Sequence, residues 1–420
     1  MAVQVNEVYD KLFKDTVGPI RKGVHRISKL ISHNNLEAIL SLPSIIVTGS
    51  NGKGTTSHLI ELILRSQGLK TGLLTSPHFL SPCERICING CPMESNDFLE
   101  GFNKIYPLSK NHPLNPSFFE IISLIAFNYF LKENVDVLVA EVGLGGRFDS
   151  INVLNPDISA LTSISWEHGQ YFGESVFDIA FDKSFVGRRN KSLYIPSLSK
   201  AARTGIEKAK EIIGFNLITT SHKVIDMTSL LEDKTDTLAK DFYSENLKMA
   251  YLIAGEFLTK RRKELDVKPI RHALREFKLP GRLDKRHIEG KNVIFDVAHN
   301  EESLSFLDKR LSEQKELEGA YSLVLAFLKD KEFCLQSKAF FNHCQALYFI
   351  EFDHPRSLTL RDYKRLNLSR FDNKRQIHYK KLRELDMSKL KGKIIFTGSF
   401  AFIAALFKKY KINVFEKKVT

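Results

Sequence analysis

The sequence predicts an α/β protein of two domains, the first built on a parallel-rich sheet and the second a smaller α/β unit. Three observations carry this. The chain has 420 residues, more than one hydrophobic core usually fills. Strand-like apolar runs alternate with helix-period stretches after Ser44 and again after Val293, as parallel strands joined by crossover helices do. Between the two series, Leu279-Pro280-Gly281-Arg282 breaks the pattern and marks a boundary.

In chain order, residues 1–43 read as helical and amphipathic, ending at Pro43. The β-branched run Ser44 to Thr48 then enters Gly49-Ser50-Asn51-Gly52-Lys53-Gly54-Thr55-Thr56, and a helix-period segment from Leu59 to Leu64 follows. Strand, glycine turn and helix together cradle a phosphate, because small residues let backbone N–H groups converge and the helix start adds its positive end. Lys53 supplies a point charge, and Thr55 or Thr56 a hydroxyl for phosphate or Mg²⁺. The spacing departs from G-x-x-x-x-G-K-[ST], which would place glycine at Val47 and a hydroxyl at Gly54.

Lys70 to Thr75 reads as a second strand running into Ser76-Pro77-His78, and Arg85 to Ile88 as a strand before the turn Asn89-Gly90. Ser117 to Leu131 is an apolar helix. Val135 to Val142 is a buried strand that runs into Gly143-Leu144-Gly145-Gly146-Arg147. A dinucleotide fingerprint would need glycine at Phe148, so no Rossmann NAD site is expected there. Asp157 to Ile164 is a strand leading to Trp166-Glu167-His168, and Ser175 to Phe185 a helix. Residues 190–240 give a short strand near Tyr194, a basic helix over 201–213 and a polar stretch; helices follow over 244–262 and 267–277. The second series has strands at Val293–Val297, Tyr321–Phe327, Ala346–Phe352 and Ile394–Thr397, with helices at Glu301–Leu311, Leu360–Leu366 and Phe400–Tyr410.

Composition narrows the function classes. An apolar share of 43% with 26% charged residues describes an ordinary globular protein. The net charge of +13 suits nucleic acid, anionic lipid or an acidic small substrate, yet the basic residues look spread, with Lys260-Arg261-Arg262-Lys263 and Lys408-Lys409 the densest groups. No basic stripe with interleaved aromatics is visible, so a nucleic-acid-binding P-loop ATPase is the less favoured alternative and no nucleic-acid partner is expected. The apolar runs Ile121–Leu131 and Ile394–Leu406 are short for a membrane span, and Asp10, Lys11 and Lys14 stand where a signal peptide needs apolar residues. A cytoplasmic location without membrane contact is expected. Five cysteines, an odd number, suit free thiols; Cys83, Cys87 and Cys91 recur every fourth residue but fit no common zinc or iron–sulfur spacing.

In parallel α/β sheets, ligands gather at the carboxyl ends of the strands. Ser76, Glu141 and His168 each follow a strand of the first series, as the glycine loop does. Beside a triphosphate they could hold Mg²⁺, although magnesium prefers oxygen over imidazole. Singly, each has a structural reading too: a loop histidine for His168, a cap or ion-pair residue for Glu141.

Taken in order, Thr48-Gly49-Ser50-Asn51-Gly52-Lys53-Gly54-Thr55-Thr56, Thr75-Ser76-Pro77-His78, Glu84-Arg85-Ile86, Glu141-Val142-Gly143-Leu144-Gly145-Gly146-Arg147, Pro280-Gly281-Arg282 and Asp296-Val297-Ala298-His299-Asn300 resemble the folylpolyglutamate synthase / dihydrofolate synthase family of the Mur ligase superfamily. The resemblance spans about residues 44 to 400, and the altered loop spacing is that family's own variant. It implies a P-loop-type ATPase domain over residues 1–279 and a Rossmann-like glutamate-ligase domain over 283–420. It further implies an ATP-dependent amide ligase acting as a monomer. ATP would phosphorylate a pterin carboxylate, and L-glutamate would attack the acyl phosphate. That converts dihydropteroate to dihydrofolate, tetrahydrofolate to its polyglutamates, or both. A Mur-type ligase for another carboxylate is the sibling alternative.

By the same resemblance, Gly49 to Thr56 bind the triphosphate, and Ser76, Glu141 and His168 hold Mg²⁺. Lys183 matches a lysine carbamylated in relatives to hold a second Mg²⁺. Asn246, Arg282 and Asp296 would reach the nucleotide; His299 and Ser399, the phosphate and incoming glutamate. Phe119 and Glu120 would bound the pterin pocket, with His78 and Arg85 also on the substrate side. Lys53, Glu141, His168, Lys183 and His299 form the implied catalytic set. The sequence departs from the family at Glu167, usually Asp, and at Lys183-Ser184-Phe185, usually Lys-Ala-Gly.

Overall fold

The computed structural model describes residues 2–16, 24–31, 33–110, 115–166, 169–173, 175–223, 230, 242–313, 321–329, 344–365 and 376–415. The backbone forms two compact units, Met1–Phe277 and Lys278–Thr420.

Three helices open the first unit, α1 (Ala2–Thr16), α2 (His25–Leu30) and α3 (His33–Ser41). The expected helical start is therefore three short helices rather than one. Strand β1 (Ser44–Thr48) leads into α4 (Lys53–Ser66), followed by β2 (Thr71–Leu74), β3 (Ile86–Ile88), β4 (Cys91–Pro92), α5 (Ser95–Lys110) and α6 (Phe118–Lys132). Next come β5 (Val137–Glu141), β6 (Ile158–Leu161), α7 (Gly169–Phe172), α8 (Val176–Ser184), β7 (Ser192–Ile195), α9 (Lys200–Ile213), β8 (Asn216–Thr219), α10 (Phe242–Thr259) and α11 (Val267–Arg275). The sheet runs β4-β3-β2-β5-β1-β6-β7-β8. It is parallel from β2 to β8, with β3 and β4 antiparallel at one edge.

All five residues of β1 and of β5 are buried, as strands covered on both faces must be. One face packs against α1, α5, α6, α8 and α9 through residues such as Val5, Phe98, Phe127, Ala180 and Ile206. The other packs against α4, α10 and α11 through Leu59, Ile63, Ile253 and Ile270. Register sets Val47 opposite Glu141 and Thr48 opposite Leu161. The ends of β5, β1 and β6 are thus level, and whatever follows them shares one rim.

The second unit contains β9 (Asp284–Ile288), β10 (Lys291–Phe295), α12 (Glu301–Glu313), β11 (Tyr321–Leu325), β12 (Cys344–Glu351), α13 (Leu360–Arg365), β13 (Gln376–Lys381), β14 (Lys393–Thr397) and α14 (Phe400–Lys409). Its sheet runs β13-β12-β11-β14-β10-β9, antiparallel only between β10 and β9. Strands β8, β9 and β13 escape sequence reading because each is short, polar and at or near a sheet edge, where alternation with a core face is weak. The charge also divides unevenly. Residues 278–420 hold 29 Lys and Arg against 18 Asp and Glu, whereas residues 1–277 hold 33 against 31. The excess that looked spread lies mostly in the second unit. Among the described residues no helix is long and apolar enough to cross a membrane.

Candidate active site

The glycine loop after β1 is held by the neighbouring rim of β6. Ser50 donates its N–H to the Ser163 carbonyl at 2.9 Å, and Asn51 N–H reaches Ser163 Oγ at 2.8 Å. Thr162 Oγ1 donates to the Asn51 carbonyl at 2.6 Å, and Thr48 Oγ1 to Gly145 at 2.6 Å. At Gly49, φ is +146° and a Cβ would stand 2.1 Å from Thr162 Oγ1, so only glycine fits. Gly52 takes φ +84° as α4 begins. Thr162 and Ser163 were not singled out from the sequence; their signal was the level end of β6.

Two lysines close on the loop's carbonyls. Lys53 Nζ donates to Gly49 O at 2.9 Å and Ser50 O at 3.2 Å. Lys183, 1% exposed on α8, donates to the same Gly49 oxygen at 2.9 Å. Thr55 and Thr56 are buried, and Thr56 Oγ1 donates to Asn246 Oδ1 at 3.1 Å. Among the described residues, Asn246 Nδ2 is buried with no hydrogen-bond partner, a donor of the kind that calls for an explanation.

Glu141 ends β5, buried, with Oε2 accepting the Ser76 N–H at 2.9 Å. A Cβ on Gly54 would lie 3.5 Å from the same oxygen, so the carboxylate sits against the positive start of α4. Loop N–H groups, Lys53, hydroxyls and a buried carboxylate fit a nucleoside triphosphate with a hard divalent cation. Among the described residues no group of three His, Cys, Asp or Glu forms a metal cluster by itself. His168 and Glu167 lie outside the described residues.

The Gly143 to Gly146 turn is shaped by close packing. A Cβ on Gly146 would meet the Lys183 carbonyl at 2.6 Å, and one on Gly143 would meet Phe119 at 2.9 Å. Asp182 accepts the Gly146 N–H at 3.0 Å, tying α8 to this turn. Asp149, which sequence reading passed over, accepts N–H groups from Leu144 at 3.0 Å and Ile151 at 2.9 Å. Burial pushes its carboxyl up to about 6.

On the substrate side, His78 and Arg85 come together, Arg85 Nε donating to His78 Nδ1 at 2.9 Å. Burial, with Arg85 adding to it, pushes the His78 imidazole down to about 3. The ring accepts the Arg85 hydrogen bond at Nδ1 as an uncharged imidazole. Glu120 lies buried near the start of α6. Both carboxylate oxygens accept Arg26 Nε at 3.1 Å, and Oε2 also caps Ser117 N–H at 2.7 Å. Its oxygens are engaged within the fold and tie the start of α6 to α2.

In the second unit, Asp296 follows β10 and accepts Leu283 N–H and Ala298 N–H, each at 2.9 Å. Burial raises its carboxyl above the usual range, with the Arg282 charge opposing. His299 Nδ1 meets the Val297 carbonyl at 2.8 Å, which places the proton on Nδ1. Ser399 lies just after β14, at the start of α14. Its hydroxyl donates to Ala326 O at 3.0 Å and accepts Phe402 N–H at 3.2 Å, so it caps α14.

A nucleotide loop on a three-layer α/β unit, with a buried carboxylate at the mouth, defines an ATP-dependent ligase of the Mur type. The Mur ligase middle domain matches residues 47–258. A dihydrofolate synthase/folylpolyglutamate synthase of Buchnera aphidicola (subspecies Baizongia pistaciae) is 30% identical over 77% of this chain and 74% of its own. That of Bacillus subtilis is 28% identical over 87% and 90%. Among solved structures, the Mycobacterium tuberculosis folylpolyglutamate synthase complexed with ADP superposes with a TM-score of 0.81, at 21% identity over 98% of both chains. The E. coli FolC complex with DHPP and ADP gives 0.79 at 23% over 97% of both. The chain belongs to the dihydrofolate synthase/folylpolyglutamate synthase family.

Proposed function

We propose that this protein joins L-glutamate to the carboxylate of a pterin substrate, dihydropteroate or tetrahydrofolate, using ATP and an acyl-phosphate intermediate. The observation that carries this is Glu141, buried at the start of α4 beside the lysine-closed glycine loop. A carboxylate is a poor electrophile, and phosphorylation gives it a leaving group. Gly49 to Thr56 present N–H groups to the triphosphate, and Lys53 exchanges the Gly49 and Ser50 carbonyls for phosphate oxygens. Glu141 and Ser76, with His168, are assigned to Mg²⁺, which when bound offsets charge on the transferred phosphoryl group. Lys183, if carbamylated, supplies oxygens for a second ion; as an amine it clamps the loop.

Asn246 offers its open Nδ2 to the nucleotide, and Arg282 and Asp296 are assigned there too. His299, held by Val297, is assigned to the phosphate and the incoming glutamate. Phe119, His78 and Arg85 are assigned to the acyl substrate. The protein is proposed to act as a monomer in the cytoplasm without nucleic acid. Incubation with ATP, Mg²⁺, L-glutamate and either pterin, following ADP release, tests the reading. Pterin-dependent ADP is expected. ADP release indifferent to both pterins but stimulated by RNA or DNA overturns it.

A further inference from the structure

Ser50 links separate parts of the first rim. It is 8% exposed. Its N–H donates to Ser163 O at 2.9 Å, and its carbonyl accepts Lys53 Nζ at 3.2 Å. Its hydroxyl serves the segment that leaves β6. Oγ accepts the Ser165 N–H at 3.1 Å and donates to the Ser165 carbonyl at 3.3 Å. Strand β6 ends at Leu161, so Ser165 lies beyond the sheet's own ladder, and this side chain stands in for a strand partner. Trp166, the chain's single tryptophan, comes next and is 54% exposed. Glu167 and His168 follow it in the sequence.

A serine hydroxyl has one proton to give. Here it goes to the Ser165 carbonyl, which leaves none for a phosphate oxygen. The loop N–H groups and Lys53 serve a phosphate without it. When Lys53 exchanges loop carbonyls for phosphate oxygens, it lets go of the Ser50 carbonyl. The hydroxyl of that same residue then carries the change to Ser165, and so to Trp166.

We propose that Ser50 is a positioning residue whose hydroxyl couples occupancy of the glycine loop to the segment Ser163 to Trp166, instead of meeting the triphosphate itself. That segment leads into His168, assigned above to Mg²⁺, so the clasp ties nucleotide arrival to metal affinity. The inference rests on the ligase reading above.

The test follows Trp166 emission in the whole protein, beside ADP binding by calorimetry in EDTA and thermal unfolding. Mn²⁺ binding without nucleotide is measured by electron paramagnetic resonance. In wild type, metal-free ADP is expected to change the Trp166 emission. Ser50→Ala removes the clasp and keeps the loop backbone. It is expected to bind metal-free ADP within about twofold of wild type and Mn²⁺ about three- to tenfold more weakly, the scale of one hydrogen bond. Most of the emission change should be lost. Ser50→Thr retains a hydroxyl and should restore both readouts. Wild-type emission indifferent to bound ADP overturns the inference without any variant. So does a Ser50→Ala protein that keeps the wild-type emission change and Mn²⁺ affinity. A loss of ADP affinity of about tenfold at unchanged Tm overturns it too, because the hydroxyl would then be meeting phosphate. If the wild-type protein does not bind ADP at all, the ligase reading falls and this inference falls with it.

Discussion

The two sheets hold their carboxyl rims in different ways. In the first unit the loop is tied by side chains: Thr162 and Ser163 hold Asn51, and the ammonium groups of Lys53 and Lys183 both bind the Gly49 carbonyl. In the second unit the backbone does the work. Gly398 N–H bonds Ala298 O at 2.9 Å, Val297 N–H bonds Gly281 O at 2.9 Å, and Asp296 is fixed by two further N–H groups. Ammonium groups bonded to carbonyls can turn to phosphate oxygens without breaking a strand. A carboxylate locked by backbone amides cannot turn. The first rim is built to exchange partners and the second to stay put.

Removing an exchanging partner should therefore cost activity far more than stability. Lys53→Ala is expected to lower turnover about a thousandfold with circular dichroism and Tm near wild type. ADP should raise the wild-type Tm and fail to do so in the variant. Normal turnover in Lys53→Ala breaks the comparison at its root.

The contrast between Glu141 and Glu120 sharpens it within one unit. Both are buried glutamates. Glu141 accepts the Ser76 amide beside a helix start, whereas Glu120 pairs with buried Arg26. Glu141→Gln is expected to lower kcat about a hundredfold or more while folding normally. Glu120→Ala removes the carboxylate that pairs with buried Arg26, which costs about 3 kcal/mol. Its activity should survive at low temperature. Loss of activity without loss of stability in Glu120→Ala would return that residue to the substrate pocket.

Much of the first rim was legible because its signals are local. The run Ser44 to Thr48, its glycines and Lys53 are contiguous, and Glu141 closes an apolar strand. What was not legible depends on partners distant in sequence. The pairing of Glu120 was hidden because its own helix cannot reveal Arg26, 94 positions away. A serine after a strand can meet a ligand or cap the next helix, and the Ala326 contact of Ser399 is visible only in the fold. Tyr9 lies in a helix with no motif at all, and only the fold brings its ring against His78 and Phe118.

Asp149 turns the contrast into a pH dependence. Its carboxyl lies at about 6 in the folded chain, raised by burial from 3.8. A raised carboxyl favours folding when protonated, so wild-type stability should fall as pH rises from about 4 through 6 and level off above. The span corresponds to roughly 2–3 kcal/mol. Asp149→Asn should lose this slope, measured by urea unfolding at several pH values. An unchanged slope in the variant places the titration elsewhere.

The smallest effect belongs to the fixed rim. Ser399 caps α14 and holds Ala326, and its hydroxyl donates once and accepts once. Ser399→Ala should cost about 1 kcal/mol of stability, as lost caps do. KM for glutamate should hardly move, because the displaced groups are backbone atoms of the same unit. His299→Ala should do the reverse, sparing stability while raising KM for glutamate. If Ser399→Ala raised that KM tenfold at unchanged Tm, the hydroxyl would be meeting the ligand rather than the helix, and the second rim would be an exchanging one like the first.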